Sequence, residues 1–290
     1  MLINHLYGGL CNIHRKIRKQ LKSALKPEIS QRKIRSFIKQ TSNQVKPNHF
    51  YKGDQSIAIV IPCYGHAPYL REMFESIKQQ TRQADEVIFV VDSSPDNSFE
   101  ILQSLVHEFQ AQTKSKLTLV QNDNNIGQAA SLNKGIEIAE SELIMILNDD
   151  DYLLHDCIEG SLKILEKNPQ AALLGGHSLH FGGNSLSNTP KLIQDICPIE
   201  DIEIDLRLPS QVSQYRGYND INMTHSGSSF YKSAWKAIGG YYPDKSKRLV
   251  HFSDRDFQLR MNALFPVALS NITPLSCWRN DSSVDQGVNS

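Results

Sequence analysis

Three adjacent aspartates follow a short apolar run near the middle of the chain. Residues 143–147 are apolar, and Asn148, Asp149, Asp150 and Asp151 come directly after them. Neighbouring carboxylates repel one another, so a cluster that ends an apolar element needs a compensating charge. Mg²⁺ and Mn²⁺ prefer oxygen ligands and are commonly held by one or two carboxylates together with substrate phosphates. The cluster therefore predicts a divalent-metal site that also binds a diphosphate.

The same cluster has a structural interpretation. Asp151 would begin a helix predicted over 152–166, because a negative charge in the first turn interacts favourably with the helix dipole. This interpretation accounts for one aspartate, whereas the chain has three at this point. We therefore favour the metal site.

Two further residues are candidates for binding a nucleoside. Asp92 directly follows the apolar run 86–91, and Tyr64 comes shortly after Pro62 at the end of another run. A carboxylate can accept hydrogen bonds from the N–H groups of a base, and a tyrosine ring can stack on its face. The alternatives are an Asx turn for Asp92, since the segment 92–98 is rich in turn-forming residues, and an interface position for Tyr64. The sequence leaves both choices open.

Gly127 and Gln128 lie where a helix is predicted to begin, within "NNIGQAASLNKG" (124–135). Free N–H groups at such a position favour anions or the close approach of a ligand. The segment contains neither GxGxxG nor GK[ST], which disfavours a Rossmann dinucleotide site and a P-loop.

Asp254 is a candidate general base. It lies in "SDRD" (253–256), at the predicted start of a helix over 253–265. A carboxylate at such a position beside a cleft can accept a proton from a substrate. The spacing alone favours a structural role, in which Ser253 caps the helix and Asp256 completes a capping box.

The candidate residues follow predicted strands. Apolar, β-branched-rich runs predict buried strands of a parallel sheet. They cover residues 57–62, 86–91, 117–121 and 142–147, with a fifth strand at 171–176. Helices are predicted at 67–80, 98–112 and 128–140. Ligands bind beyond the carboxyl ends of the strands in open parallel sheets, so the polar residues there are expected to converge. Farther on, the pattern indicates a strand or loop at 225–231 and a helix at 233–238, while 178–224 has weak periodicity.

Charge divides the chain into two predicted parts, an arm over 1–52 and a domain over 53–290. The arm holds twelve lysine and arginine residues and one glutamate, a net charge of +11, although the whole chain is neutral. The arm is predicted to form a basic amphipathic helix over 10–26 and a second helix with Ile34 and Phe37 on one face. Such an arm binds an anionic membrane surface or packs on its own domain or on a second copy of the chain. We expect no nucleic-acid partner.

Cysteine usage and hydropathy indicate a cytoplasmic protein. The chain has five cysteines without a repeated short spacing, which predicts neither a disulfide framework nor a zinc site. No apolar run reaches the roughly 18–20 residues of a membrane span, and the first residues do not resemble a secretory signal. The basic arm makes the cytoplasmic face of the membrane an alternative location.

Five motifs, taken in order, resemble the family 2 glycosyltransferases, which have a GT-A fold. They are "VIPCY", an aspartate after the second strand, "NIGQAASLNKG", "ILNDDD" and "SDRDFQLR", and they span about residues 56–280. The resemblance implies an α/β fold whose mostly parallel central sheet is flanked by helices. It also implies an inverting glycosyltransferase with a nucleotide-sugar donor, commonly a UDP-sugar, and with Mn²⁺ or Mg²⁺.

The resemblance implies roles for individual residues as well. Pro62 and Tyr64 match the segment that lines the nucleoside pocket, and Asp92 matches the aspartate that recognises the base. Asp150 matches the metal-ligating aspartate, and Asp254 matches the catalytic base.

The remaining donor-binding residues implied in this way are Gly127, Gln128, Asn148 and Asp149. Asn148 stands where the family usually has the first aspartate of its acidic stretch, and Ser253 replaces the glutamate before the catalytic aspartate. The acceptor is expected to be a glycan or a lipid-linked molecule, used in glycan or cell-surface polysaccharide synthesis.

Two rival functions remain at this point. One is a non-catalytic module of the same fold that binds nucleotide-sugars or glycans. The other is a nucleotidyltransferase, which would have a glycine-rich, basic phosphate loop after the first strand. The segment there, "PCYGHAPY", has one glycine and no lysine or arginine, which disfavours the second rival.

Overall fold

The computed structural model describes residues 29–41, 49–53, 55–181, 203–221 and 223–280. The helices are α1 (Gln31–Thr41), α2 (Leu70–Lys78), α3 (Ser98–Gln110), α4 (Gln128–Ile138), α5 (Cys157–Lys167), α6 (Lys232–Ile238) and α7 (Ser253–Leu264). The strands are β1 (Ile57–Cys63), β2 (Glu86–Val91), β3 (Lys116–Gln121), β4 (Leu143–Ile146), β5 (Tyr152–Leu153), β6 (Leu173–Phe181), β7 (Ile204–Arg207), β8 (Ser229–Tyr231) and β9 (Val267–Arg279).

The described strands form one sheet in the order β3-β2-β1-β4-β8-β6-β9-β5, and β7 also pairs with β9. The half formed by β3, β2, β1 and β4 is parallel. The other half is mixed, because β8 runs antiparallel to β4 and to β6, whereas β6 and β9 are parallel. The predicted α/β fold with helices flanking a central sheet is confirmed, and its parallel character is concentrated in the first half.

The central strands are buried on both faces, as their continuous apolar runs predict. Every residue of β1, β2 and β4 is buried. The prediction was wrong for the run at 117–121, since β3 lies at the edge of the sheet and its residues are partly or fully exposed. An edge strand has a neighbour on one side only, so an apolar run there is not enclosed.

Helix α4 packs unusually close to the parallel half of the sheet. A Cβ atom at Gly135 would lie 2.5 Å from Val60 Cγ1 and 3.1 Å from Val90 Cγ2. Only glycine fits this distance without displacing a neighbour. The close packing places the start of α4 at the edge where β1 and β2 end.

The helix predicted to begin at Asp151 is absent at that position, so this prediction was wrong. Tyr152 and Leu153 form the short strand β5, which pairs with β9, and α5 begins only at Cys157. Asp151 therefore precedes a strand, and a favourable helix dipole does not explain its charge.

The described part of the arm packs on the domain. Ile29, Ile34 and Phe37 are buried in the same hydrophobic core as the central strands. The Gln31 side chain donates hydrogen bonds to the backbone carbonyls of Val212 and Tyr215 at 2.9 and 2.8 Å. Helix α1 thus packs on its own domain, which is one of the alternatives given for the arm. The helix predicted over 10–26 lies outside the described residues.

Two other predictions concern cysteines and membrane spans. Cys63, Cys157 and Cys277 are free and buried, and Cys11 and Cys197 lie outside the described residues. In the described part of the chain, no helix combines the length and the apolar character that crossing a bilayer requires.

Candidate active site

Asp149 and His66 connect the ends of β4 and β1. The Tyr64 backbone N–H donates to Asp149 Oδ2 at 2.8 Å, and His66 Nδ1 lies 2.7 Å from Asp149 Oδ1. Burial raises the pKa of the Asp149 carboxyl, and the hydrogen bond from His66 opposes this effect. Asp149 therefore holds the turn after β1 in place at the edge of the sheet.

Asp150 completes a compact group with these two residues. His66 Nε2 lies 3.9 Å from Asp150 Oδ2. The side chains of His66, Asp149 and Asp150 are all buried, and each offers a ligand atom within 4.8 Å of the others. Carboxylate oxygens suit Mg²⁺ and Mn²⁺, and an imidazole nitrogen also suits transition metals. These three ligand groups fit a divalent cation, so this group is the candidate metal centre.

The Asp151 carboxyl is not part of this group and accepts hydrogen bonds from other segments of the chain. The Ser226 hydroxyl donates to Asp151 Oδ2 at 2.6 Å, and the Arg279 backbone N–H donates to Oδ1 at 2.9 Å. Asn148 Nδ2 donates to Oδ2 at 3.2 Å. Burial, followed by the charge of Asp150, raises the pKa of Asp151 to about 8. Asp151 thus has a structural role in fixing the carboxyl end of β4.

Arg279 supports the acid cluster from the end of β9. Its Nε donates to the Asp150 backbone carbonyl at 2.9 Å, and its guanidinium also pairs with Glu72. The guanidinium carbon lies 4.1 Å from the centroid of the Tyr69 ring and 4.4 Å from that of Phe181. Contacts with both rings hold the arginine in one orientation beside the cluster.

Asp92 organises the loop between β3 and α4. The backbone N–H groups of Ile126 and Gly127 donate to its carboxylate at 2.9 and 2.7 Å. Asn122 Nδ2 donates to it at 2.8 Å, and Asp92 is buried. Three of its roughly four acceptor positions are thus filled within the chain. Asp92 forms contacts across the sheet edge, rather than the local Asx turn that the sequence offered.

Gly127, Gln128 and Asn148 lie side by side at this edge. Gly127 precedes α4 with a positive φ of 85°, and nothing lies within 4 Å of a Cβ built on it. Gln128 Nε2 donates to Asn148 Oδ1 at 3.2 Å. Tyr64 is partly exposed nearby, whereas Pro62 is buried within β1. The structure thus brings most of the residues predicted to bind the donor to the carboxyl ends of β1, β2 and β4.

Asp254 lines a cavity that also reaches this edge. The cavity has a volume of about 560 Å³, and Gln128, Asn148 and Asp151 are among the other residues that line it. Asp254 is partly exposed in the first turn of α7. Within the described ranges, no hydrogen bond occupies its carboxylate. A partly exposed carboxylate in a cleft has the placement that a general base requires.

The capping box predicted for "SDRD" is wrong. The N-cap residue is Phe252, and no side chain caps the helix. Asp256 points into the interior, where it pairs with Arg260 and accepts a hydrogen bond from the Leu249 backbone N–H. The structural alternative for Asp254 has therefore lost its basis, because neither Ser253 nor Asp256 serves as the cap that it assumed.

His225 and Tyr241 lie near Asp254. His225 lines the same cavity, and its Nε2 lies 3.0 Å from the Tyr241 hydroxyl. Burial lowers the pKa of His225, and the charge of Asp254 opposes this effect. Burial also raises the pKa of Tyr241 well above its usual value. The pair provides a neutral hydrogen-bonding wall beside the candidate base.

Sequence reasoning did not identify His66 or His225. His66 lies in "PCYGHAPY", directly after the first predicted strand, and its place at the carboxyl end of that strand was the available signal. His225 begins the segment predicted as a strand or loop at 225–231, and no local pattern there pointed to it.

A family model and curated relatives match the chain. Residues 58–238 match the family described as "Glycosyl transferase family 2", which is more than half of the chain. An uncharacterized glycosyltransferase of Haemophilus influenzae is 32% identical over 167 residues, which are 53% of this chain and 60% of the relative. Glycosyltransferase GlyG of Streptococcus pneumoniae is 31% identical over 42% of this chain and 38% of its own length. The chain thus spans less than two thirds of either relative.

Solved structures share the fold at low identity. TarS 1–349 from S. aureus has a TM-score of 0.58 and 14% identity, covering 77% of this chain and 60% of that one. The mannosyltransferase PcManGT from Pyrobaculum calidifontis, in complex with GDP-Man and Mn²⁺, has a TM-score of 0.54 and 17% identity. That match covers 85% of this chain and 64% of the mannosyltransferase. The family match, the curated relatives and the shared fold lead to one conclusion: the chain belongs to glycosyl transferase family 2 and has a GT-A fold.

Proposed function

We propose that this protein transfers a sugar from a nucleotide-sugar donor to a hydroxyl group of a glycan or lipid-linked acceptor, with inversion at the anomeric carbon. The observation that carries the proposal is the shared cavity of Asp254 and the carboxyl end of β4. Asp254 lies in one cavity with Asn148 and Asp151, which directly flank the two aspartates of the candidate metal centre. This placement supports the roles of Asp254 as a general base and of the strand end as the site of a metal-bound diphosphate. Family membership supports the proposal, and the matched segment ends at residue 238, before Asp254.

Asp150, together with His66 and Asp149, would hold Mn²⁺ or Mg²⁺. When bound, the cation would act as a Lewis acid that offsets the charge of the departing nucleoside diphosphate. Support comes from the three buried ligand groups and from the Mn²⁺ in the mannosyltransferase complex. Asp149 Oδ2 already accepts the Tyr64 N–H and Oδ1 pairs with His66 Nδ1, so Asp150 is the less engaged of the two carboxylates.

The donor would lie along the ends of β1, β2 and β4. Tyr64 would contact the nucleoside, and Gly127 and Gln128 would lie beside the diphosphate. The space next to Gly127 is open, since nothing lies within 4 Å of a Cβ built on it. Asp92 would position this loop, and direct recognition of the base would use its remaining acceptor position. A UDP-sugar is our proposed donor, since TarS has been crystallised with UDP-GlcNAc. The GDP-Man complex of the mannosyltransferase makes GDP-mannose the second donor to examine.

The chain's own residues supply the remaining chemistry. Asp254 would accept the proton of the acceptor hydroxyl as its oxygen attacks the anomeric carbon from the face opposite the leaving group. A single displacement of this kind inverts the configuration and needs no covalent intermediate on the enzyme. His225 and Tyr241 would form the wall beside the base.

A donor panel tests the proposed function. UDP- and GDP-sugars are incubated with the full chain, Mn²⁺ and a panel of hydroxyl acceptors that includes simple glycosides, and release of nucleoside diphosphate is measured with and without a chelator. We expect chelator-sensitive release from one donor class. In a parallel incubation with a nucleoside triphosphate and a sugar phosphate, release of inorganic diphosphate would favour a nucleotidyltransferase. Tight donor binding without turnover in either incubation would favour a binding module.

A further inference from the structure

Two aromatic side chains stand exposed in the cavity that contains Asp254. Within the described ranges, five large hydrophobic side chains are exposed, and Phe252 and Trp278 both line this cavity, with exposed fractions of 41% and 38%. Single exposed apolar residues are common on protein surfaces, but two in one concave site are associated with ligand binding.

Trp278 is held in place although it is exposed. Its ring lies 4.8 Å from the His180 ring, centroid to centroid, and the two planes are nearly perpendicular at 88°. Trp278 belongs to β9, whose neighbouring residue Arg279 is fixed by its bonds to the acid cluster. A rigid strand therefore presents the indole to the cavity, which reduces the entropy lost when a ligand binds.

In its described lining, the cavity provides no free lysine or arginine side chain for an anionic ligand at this position. In the part of the chain that the structure describes, the residues that line it include no lysine and one arginine. That arginine, Arg255, donates to the Met223 carbonyl and to Gln258 Oε1, so its guanidinium is engaged within the chain. A phosphate group would therefore find no free lysine or arginine side chain among these residues, whereas a neutral molecule rich in hydroxyl groups needs none.

The polar lining also suits hydroxyl groups. The Ser178 hydroxyl pairs with that of Ser276 and the Thr224 hydroxyl donates to the Gly176 carbonyl, and both keep acceptor capacity for a ligand. His177 and His180 offer ring nitrogens. The volume of about 560 Å³ lies within the roughly 300–1,000 Å³ of small-molecule sites. The cavity thus combines the flat surface of aromatic rings with hydroxyl groups and ring nitrogens that can form hydrogen bonds.

We propose that Trp278 and Phe252 form a subsite for a neutral saccharide ring of the acceptor. A sugar ring has one face of C–H groups, which carry weak positive charge and stack on the negative face of an aromatic ring. Its hydroxyls would pair with the polar lining, and one would lie within reach of Asp254. The inference rests on the proposed function and specifies its acceptor as a sugar rather than a phosphate-bearing polyol.

Intrinsic fluorescence tests the subsite, because the chain has two tryptophans of opposite exposure. Trp235 is 6% exposed and donates to Asn133 Oδ1, while Trp278 lines the cavity. The full chain is titrated with the methyl β-glycosides of glucose, galactose and N-acetylglucosamine, and with glycerol phosphate. We expect a saturable change in emission with at least one glycoside and none with glycerol phosphate.

Matched variants identify the reporting residue. Trp235→Phe, which retains only Trp278, should keep the change, and Trp278→Phe, which retains only Trp235, should lose it. Ligand-observed NMR on the binding glycoside provides a second readout, in which Trp278→Ala weakens affinity about tenfold or more and Phe252→Ala weakens it severalfold. Thermal melts establish that each variant is folded, and the NMR measurement on Phe252→Ala keeps the test informative if Trp235→Phe is unstable.

Several results would overturn the subsite. They are the absence of a saturable change with all three glycosides, an unchanged response in Trp278→Phe, or a response to glycerol phosphate alone. Nucleoside diphosphate release by the wild-type chain is measured separately, both with and without the glycosides. Saccharide binding without any such release would retain the subsite and reject the proposed function, whereas release without saccharide binding would do the reverse.

Discussion

Asp256 and Arg260 form an ion pair one turn apart in helix α7, with 2.8 Å between Oδ2 and Nη2, and both side chains are fully buried. The Leu249 backbone N–H donates to Asp256 at 2.6 Å, and Arg260 donates to the Ile238 carbonyl at 2.8 Å. The pair joins α7 to α6 and to the loop between them. It thereby fixes the first turn of α7, which carries Asp254.

Exchanging each aspartate of α7 for asparagine should separate chemistry from folding. Asp254→Asn should reduce turnover by about 10²–10⁴-fold, because asparagine cannot accept a proton. Its melting temperature should change little, since a charge in the first turn contributes only about 0.3–1 kcal/mol. Asp256→Asn is the matched control, and it should destabilise the fold by about 3–5 kcal/mol because Arg260 is left buried without its partner. Near-normal turnover with a lowered melting temperature in Asp254→Asn would make that residue structural.

Asp150→Ala should abolish transfer without unfolding the protein. The residue belongs to the candidate metal centre, and its loss removes a carboxylate ligand. The measurements are turnover across a series of Mn²⁺ concentrations, Mn²⁺ binding by electron paramagnetic resonance, and a thermal melt. Glu108→Gln, on the exposed side of α3, is a control for the loss of one negative charge. Full activity of Asp150→Ala, or wild-type turnover that a chelator leaves unchanged, would argue against the metal site.

His225 should make stability depend on pH below neutrality. Burial lowers its pKa in the folded state below the usual value of 6.5, so the unfolded chain binds a proton that the folded chain rejects. Its contribution to stability is therefore present above about pH 6.5 and is lost as the pH falls toward the folded-state pKa. The charge of Asp254 weakens the effect and that of Arg255 strengthens it. Melting curves between pH 7.5 and 5 should fall less steeply for His225→Gln, and equal slopes would contradict the expectation.

Two truncations of the basic arm should behave differently. Removing residues 1–28 takes away basic residues that we propose bind an anionic membrane, where each contributes about 1 kcal/mol. Sedimentation with anionic liposomes should therefore decrease, and it should also decrease at high salt. Removing residues 1–52 deletes Ile34 and Phe37 from the core as well, so it should lower the melting temperature. Equal pelleting of the full chain and the shorter truncation would favour an arm that only packs on the domain.

The sequence predicted the parallel half of the sheet closely because its strands are enclosed on both faces. Strands β1, β2 and β4 begin and end within one residue of the predicted apolar runs. The mixed half was poorly predicted, and β9 was missed altogether. Its pairing with β6 joins residues about ninety positions apart, and that long-range contact leaves no periodic local pattern.

In the candidate site, too, local patterns could be predicted from the sequence and long-range contacts could not. Asp92, Asn148 and Asp150 could be selected as candidates because strand ends can be recognised from the apolar runs before them. The actual partners of Asp92, the backbone N–H groups of Ile126 and Gly127, depend on how the following loop folds back. His66 was missed because a single histidine after a strand has no spacing that indicates what it contacts.

The close packing of Gly135 against Val60 limits which substitutions helix α4 can accept. Alanine would raise the intrinsic stability of the isolated helix by about 1 kcal/mol, yet its methyl group would collide with Val60. Gly135→Ala should therefore shift α4 away from the sheet and displace Gly127 and Gln128, two turns away. The donor contacts proposed for Gly127 and Gln128 would then weaken, and donor affinity would fall although residue 135 is packed against the sheet. A glycine outside a binding site can thus set the affinity of that site through the distance between a helix and a sheet.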